Sequence, residues 1–201
     1  MCGFVVIVNK DGSPVSRERL AAMADTLSHR GPDGEGVFSD DRVGMHHKRL
    51  SIIDIEGGQQ PMRSGDLVIV FNGELYNYVE LRDELKAAGH PFSTASDTEV
   101  LLQAYAAWGE ACVERFVGMF AFVIYDQRRK RLFAARDHFG IKPLYYYESD
   151  DRLIFASEIK AIVTHTDVPR APSRASLVDY LSFQLVLREH TLLEAIRKLF
   201  P

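Results

Sequence analysis

Cysteine is scarce in this chain: two residues among 201, Cys2 and Cys112, with no C-x-x-C pair. That excludes a disulfide framework and a zinc ribbon. Basic charge is not in excess either. The 24 Lys and Arg face 28 Asp and Glu, for a formal net charge of −4, which leaves no electrostatic footprint for nucleic acid. Long apolar runs are missing, so no segment reads as a membrane span. No basic segment precedes the short apolar run at the N-terminus, as a signal peptide requires. Repeats, low-complexity tracts and an interior linker are absent too. What remains is a soluble protein of a reducing, cytoplasmic compartment, long enough to bury a core.

The residues that are present fall into readable elements. Phe4–Val8 is apolar and β-rich, with the turn NKDG behind it, and predicts a buried strand. Leu20, Met23, Ala24 and Leu27 mark one face of a helix that Ser16 can cap. HRGPDGEG reads as a loop, short β-type runs follow at Gly36–Phe38 and Val43–His47, and IEGGQQP is a further loop. The run LVIVF at Leu67–Phe71 predicts a buried strand ending at Asn72-Gly73. The helix after it has Asn77 as cap, Glu80 in the capping-box position, Leu81, Leu85 and Ala88 inward, and Gly89 as its stop. Thr98–Trp108 reads as a helix with Leu101, Ala104, Tyr105 and Trp108 on one side. Met119–Ala156 carries four strand-like runs at short spacing and reads as an antiparallel meander. Ser173–Phe183 is a last helix. Strands and helices in blocks argue for α+β layers.

Cys2 is the residue with the most chemistry. Once Met1 is removed it carries a thiol and a free amine, whose reference pKa values of about 8.5 and 7.7–8.0 lie close enough for a proton to pass between them. Nucleophile and general base then share one residue. Taken alone, a cysteine before a strand reads as a small apolar residue. Asn72 and Gly73 could aim a carboxamide and a backbone amide the same way, as the two donors of an oxyanion hole, or could be a plain turn. Arg49, after an apolar strand, could offer a fork to a carboxylate or stand in solvent. Glu74 and Asp97 are carboxylates that could face an ammonium, although Asp97 is also placed to cap the helix at Thr98. His29, His46 and His47 have no metal-ligand spacing, Cys112 reads as core, and Phe120, Phe122, Tyr125 and Tyr145–Tyr147 read as sheet packing. RGPDGEG does not follow a phosphate-loop pattern and reads as a loop near a pocket mouth.

These motifs, taken in order, resemble a known family. Cys2-Gly3, RGPDGEG, HHKRLSIID, GGQQPM, FNGELYNY, SDTEV, GMFAFVIYD, ARDHFGIKPLYY and FASEIKAI stand as in the glutamine-hydrolysing domain of asparagine synthetases, a class II (N-terminal-nucleophile) glutamine amidotransferase. The resemblance covers nearly the whole chain. It implies a four-layer αββα fold, two antiparallel sheets stacked between helices, over one domain spanning 1–201. It implies Cys2 as nucleophile with its amine as proton shuttle, and Asn72 with the Gly73 amide as oxyanion hole. It implies Arg49 on the α-carboxylate of L-glutamine, Glu74 and Asp97 on its α-amino group, and the backbone of Leu50, Ser51, Ile52 and Ile53 along the pocket. No metal or cofactor is implied in this domain. ATP and Mg belong to a synthetase domain, expected after a connection that starts at about residue 170 and missing from these 201 residues.

The departures are small: Phe4-Val5 replaces the more usual Ile-Ala, and His138 stands where Arg or Pro is commoner. Ammonia released from glutamine would serve the amidation of aspartate or a related acceptor. Neither a membrane nor nucleic acid is an expected partner, and a homodimer is compatible with the resemblance. Two other readings use the same residues: a non-catalytic glutamine-binding regulatory module, and a stand-alone N-terminal-nucleophile amide hydrolase. Cys2 argues against the first, and Arg49 with Glu74 and Asp97 against the second.

Overall fold

A continuous run of buried β-branched residues is the mark of a strand covered on both faces. GFVVIVN is such a run, and it lies inside a sheet of the computed structural model, which describes residues 1–201. In chain order the elements are β1 (Gly3–Asn9), α1 (Arg17–Asp25), β2 (Gly34–Ser39), β3 (Val43–Arg49), β4 (Met62–Ser64), β5 (Leu67–Leu75), α2 (Tyr78–Ala87), α3 (Asp97–Trp108), a 3-10 turn (Gly109–Arg115), β6 (Gly118–Asp126), β7 (Arg131–Arg136), β8 (Tyr145–Glu148), β9 (Arg152–Ala156), α4 (Ile159–Thr164), α5 (Arg174–Phe183) and β10 (Ile196–Lys198). The first sheet has the order β10-β8-β9-β1-β3-β2 and the second β4-β5-β6-β7, antiparallel throughout.

Side-chain alternation turns these sheets into layers. In β1, Val5 and Ile7 face Leu20 and Met23 of α1 and Ile162 of α4. Phe4, Val6 and Val8 face the other way, against Val68 and Val70 of β5 and Val123 of β6. The opposite faces of β5 and β6, through Ile69, Phe71, Phe120 and Phe122, meet Leu85 of α2 and Leu101 of α3. Three buried cores between four layers make the αββα sandwich that the motifs imply. Cys112 lies in the third core, where burial pushes its thiol up to about 12. No helix is long and apolar enough to cross a membrane.

Several local readings are corrected. Strand β5 does not end at Asn72-Gly73 but runs to Leu75, pairing Gly73 with Phe120 and Leu75 with Gly118. The two glycines permit this, because a Cβ on Gly73 would enter the Met119 carbonyl and one on Gly118 the Glu74 carbonyl. Strand β2 starts at Gly34, inside the segment read as loop. Asn77 occupies the helix N-cap, yet its side chain makes no cap bond. It donates to the Arg115 carbonyl at 2.9 Å and accepts from the Val117 amide at 3.0 Å, stitching α2 to the chain before β6. Ser96, not Asp97, caps α3, accepting from the Thr98 amide at 3.1 Å. The supposed meander is divided: β6 and β7 close the second sheet, while β8 and β9 join the first, so the chain changes sheets at DHFGIKPL.

Candidate active site

The sandwich brings three strand ends to one place. Antiparallel pairing sets Gly3 opposite Lys48, so the start of β1 and the end of β3 lie side by side. Cys2 and Arg49, at those two ends, line one cavity with Leu50, Ile52, Ile53, Asn72, Gly73, Glu74 and Asp97. Its volume is about 500 Å³ with the open mouth included. Of the expected residues only Ser51 is not on the wall. Its amide turns away and donates to Asp33 Oδ2 at 2.8 Å.

The Cys2 thiol is bracketed by one residue. Leu50 N–H donates to Sγ at 3.4 Å, and Sγ donates to the Leu50 carbonyl at 3.5 Å. No histidine or carboxylate bonds it. Burial pushes the thiol pKa up, only partly offset by the Leu50 amide, the N-terminal charge, Arg49 and Arg30. The thiol is therefore not a thiolate by environment and needs a base. With Met1 in place, the Cys2 nitrogen is an amide. The Met1 thioether accepts from Lys142 Nζ at 3.3 Å.

Asn72 follows Val68 and Val70 on the face of β5 that looks toward the first sheet. It is 1% exposed, and its Nδ2 has no hydrogen-bond partner. The Gly73 N–H is also open, as the strand register shows. Gly73 stands opposite Phe120, whose own N–H donates to Asp137 Oδ2 at 3.2 Å and whose carbonyl accepts from Asp137 N–H at 2.8 Å. Phe120 thus turns its backbone away, and Gly73–Phe120 is a non-hydrogen-bonded pair. The Gly73 N–H points to the free edge of β5. The amides two residues away on that edge are closed by side chains: Phe71 N–H donates to Gln60 Oε1 at 2.6 Å and Leu75 N–H to Asp97 Oδ2 at 3.1 Å. Between them the Gly73 N–H opens on the cavity.

Arg49 is buried and fixed before any ligand arrives. Its Nη1 donates to the Ile55 carbonyl at 2.7 Å, and its Nη2 to the Asp54 and Ile53 carbonyls at 2.7 and 3.4 Å. Asp54, in the left-handed region at φ 49°, bends the loop so that successive carbonyls converge on the guanidinium. Three of five N–H donors are engaged, and the others remain for a ligand. Asp97, 4% exposed, carries a carboxyl pushed up to about 6 by burial, with the Glu74 charge adding to the rise. Two acids and one fixed cation on a single wall suit a zwitterion.

Sequence reasoning missed Arg30. Its Nε donates to the Cys2 carbonyl at 2.9 Å and its Nη1 to Glu158 at 2.9 Å, so it pins the residue that bears the thiol. The two contacts span 28 and 128 positions, and no local pattern announces them. Gln60, Ser96, Thr98 and Lys142 on the cavity wall were missed for the same reason.

The sequence profile described as "Glutamine amidotransferase domain" matches residues 1–201. The chain belongs to that family. Among its relatives, asparagine synthetase (glutamine-hydrolyzing) 1 of Bacillus subtilis strain 168 is 44% identical over 209 residues, covering 100% of this chain and 32% of that protein. Number 3 of the same organism is 46% identical over 182 residues, 88% of this chain and 30% of that one. This chain therefore spans about a third of the length of the curated relatives it matches. Among solved structures, the glutamine phosphoribosylpyrophosphate amidotransferase from B. subtilis, complexed with ADP and GMP, superposes with a TM-score of 0.66 at 23% identity. It covers 81% of this chain and 43% of that one. At that identity the likeness speaks for the fold, and the fold is the sandwich described above.

Proposed function

We propose that this amidotransferase domain hydrolyses L-glutamine to L-glutamate and ammonia through a thioester on Cys2. One observation carries the reading: Asn72 Nδ2 is buried without a partner beside the open Gly73 N–H, in the cavity that holds the thiol. A buried donor left unpaired costs about 1–3 kcal/mol. That donor and the half-buried Gly73 N–H, side by side, suit a carbonyl oxygen that gains charge as the thiol adds to its carbon.

The chemistry follows from what surrounds Cys2. Sγ forms a bond to the δ-carbon of the glutamine carboxamide. The Cys2 amine, free once Met1 is gone, takes the thiol proton and passes it to the leaving nitrogen, and the C–N bond breaks to release ammonia. Water then adds to the thioester, giving a proton to the Cys2 amine, and the amine hands that proton to the sulfur as glutamate departs. Since the thiol has no other base, the α-amine fills that role. Arg49 meets the α-carboxylate, Glu74 and Asp97 meet the ammonium, and Leu50, Ile52 and Ile53 line the side chain's path.

The domain itself uses no metal or cofactor. Its ammonia passes to an ATP- and Mg-dependent synthetase domain that amidates aspartate or a related acceptor in the cytoplasm. Helix α5 supports that partnership, because it leaves Leu181 74% and Phe183 66% exposed, with Leu177 and Val178 beside them.

Intact mass and glutamate release test the proposal together. Protein that begins at Cys2 should form glutamate from glutamine, and protein with a residue retained before Cys2 should not. A correctly processed protein that binds glutamine without hydrolysing it would leave a regulatory module in place of an enzyme.

A further inference from the structure

The nucleophile and the oxyanion donors lie on different sheets, so something must fix one sheet against the other at the cavity. Most of the inter-sheet boundary is apolar, through side chains such as Val6, Val70 and Val123, and apolar contact is non-directional. One hydrogen bond joins a strand of the first sheet to a strand of the second: His47 Nε2 to the Phe71 carbonyl, 3.0 Å. His47 sits on β3 opposite Phe4, two residues beyond Cys2. The Phe71 carbonyl belongs to the same peptide unit as the Asn72 amide, one unit before the Gly73 N–H.

We propose that His47 is a positioning residue for glutamine hydrolysis, its cross-sheet hydrogen bond setting Asn72 and Gly73 against the Cys2 thiol. The proposal rests on the glutaminase reading of the site. A carbonyl only accepts, so Nε2 must carry the proton, and Nδ1 is then a bare acceptor, buried and without a partner. His47 is 0% exposed, and burial holds it down at about 4, so the ring stays neutral through the working range. Phe71 is clamped at both polar atoms, since Gln60 Oε1 takes its N–H at 2.6 Å. This clamp stands where a neighbouring strand would otherwise pair, because β4 reaches only as far as Ile69. It leaves the next open amide, that of Gly73, facing a fixed direction.

The test compares His47→Met, which fills the space and cannot donate, with His47→Gln, whose carboxamide nitrogen can reach the same carbonyl. Steady-state glutamine hydrolysis is measured with thermal melts and the rate of Cys2 alkylation by iodoacetamide. In His47→Met, kcat should fall about 10- to 100-fold, the scale of an ångström-size misplacement, while KM stays within about twofold. Alkylation should match the wild type, because it uses no oxyanion donor. His47→Gln should recover most of the lost kcat. The proposal is overturned if His47→Met keeps wild-type kcat, if KM rises in step with the loss, or if His47→Gln is as impaired as His47→Met. It is overturned equally if neither variant folds, which would assign His47 to folding. A wild-type protein without glutamine hydrolysis would sink the glutaminase reading instead.

Discussion

The two sheets bring unlike groups to the cavity. From the first come Cys2 and Arg49, which are already tied down: the thiol by Leu50 N–H and C=O, the guanidinium by three loop carbonyls that leave two donors for a ligand, the Cys2 carbonyl by Arg30. From the second come Asn72 and Gly73, whose donors have nothing to bind. Groups tied down in advance suit a ligand present before and after the reaction. Donors left open suit charge that exists only in passing. The first sheet thus brings the nucleophile and the carboxylate anchor, and the second brings the two open donors with Glu74 beside them, with the Cys2 sulfur as the atom on which both converge.

Removing the converging atom should have the largest effect. Cys2→Ala is expected to abolish glutamate formation in a coupled assay and to leave the melting temperature near wild type, because the residue precedes β1 and the change removes little packing. Next comes the second sheet. In Asn72→Ala, kcat should fall by about 10²–10³ with KM nearly unchanged, since the donor meets a neutral carbonyl until attack. The first sheet's contribution should appear in the other parameter. Arg49→Ala should raise KM by about 10- to 100-fold, from the ~1.5–3 kcal/mol of a hydrogen bond to a charged group, and lower kcat less. A collapse of kcat at constant KM would move Arg49 into the chemistry and blur the division between the sheets.

The smallest effect is a pH dependence at Asp97. Its folded pKa of about 6 lies above the ordinary carboxyl value of 3.8, with burial the main cause. The folded state therefore binds more protons than the unfolded state between these values. Asp97 contributes relative stability below the unfolded pKa, and that contribution is lost as pH rises through about 6. Asp97→Asn, which can still accept from Leu75 N–H, should be more stable than wild type at pH 8 by at most about 3 kcal/mol. The difference should vanish toward pH 4. Glutamine affinity in the wild type should weaken as pH drops through 6, when the carboxylate facing the ammonium takes a proton. A KM flat from pH 8 to pH 5 would remove Asp97 from the ammonium site.

The sequence announced what is local. LVIVF reads as a buried strand because every residue is apolar and most are β-branched, and α3 reads as a helix from its spacing. Cys2, Arg49, Asn72 and Asp97 were visible as chemical types in ordered motifs. What was not visible depends on partners distant in the chain. The strand through Asn72-Gly73 looked finished because Asn-Gly is a turn dipeptide, and only the close approach of β6 keeps it extended. Asn77 looked like a cap because its bonds to Arg115 and Val117 cross some forty positions. Periodicity shows that Arg131–Arg136 and Tyr145–Glu148 are strands, yet it does not say that they belong to different sheets. His47 carried no signal beyond being a histidine in a strand, and its bond to Phe71 exists only once the sheets are stacked.

The division of labour between the sheets is tested most directly by kcat for Asn72→Asp beside Asn72→Ala, both shown to be folded by thermal melts. Aspartate keeps the shape of the side chain but offers acceptors, and its charge would face the developing oxyanion. Asn72→Asp should be slower than Asn72→Ala, with KM similar in both. Near-wild-type kcat in Asn72→Asp would mean that Asn72 only shapes the strand, and the oxyanion hole would have to be sought elsewhere.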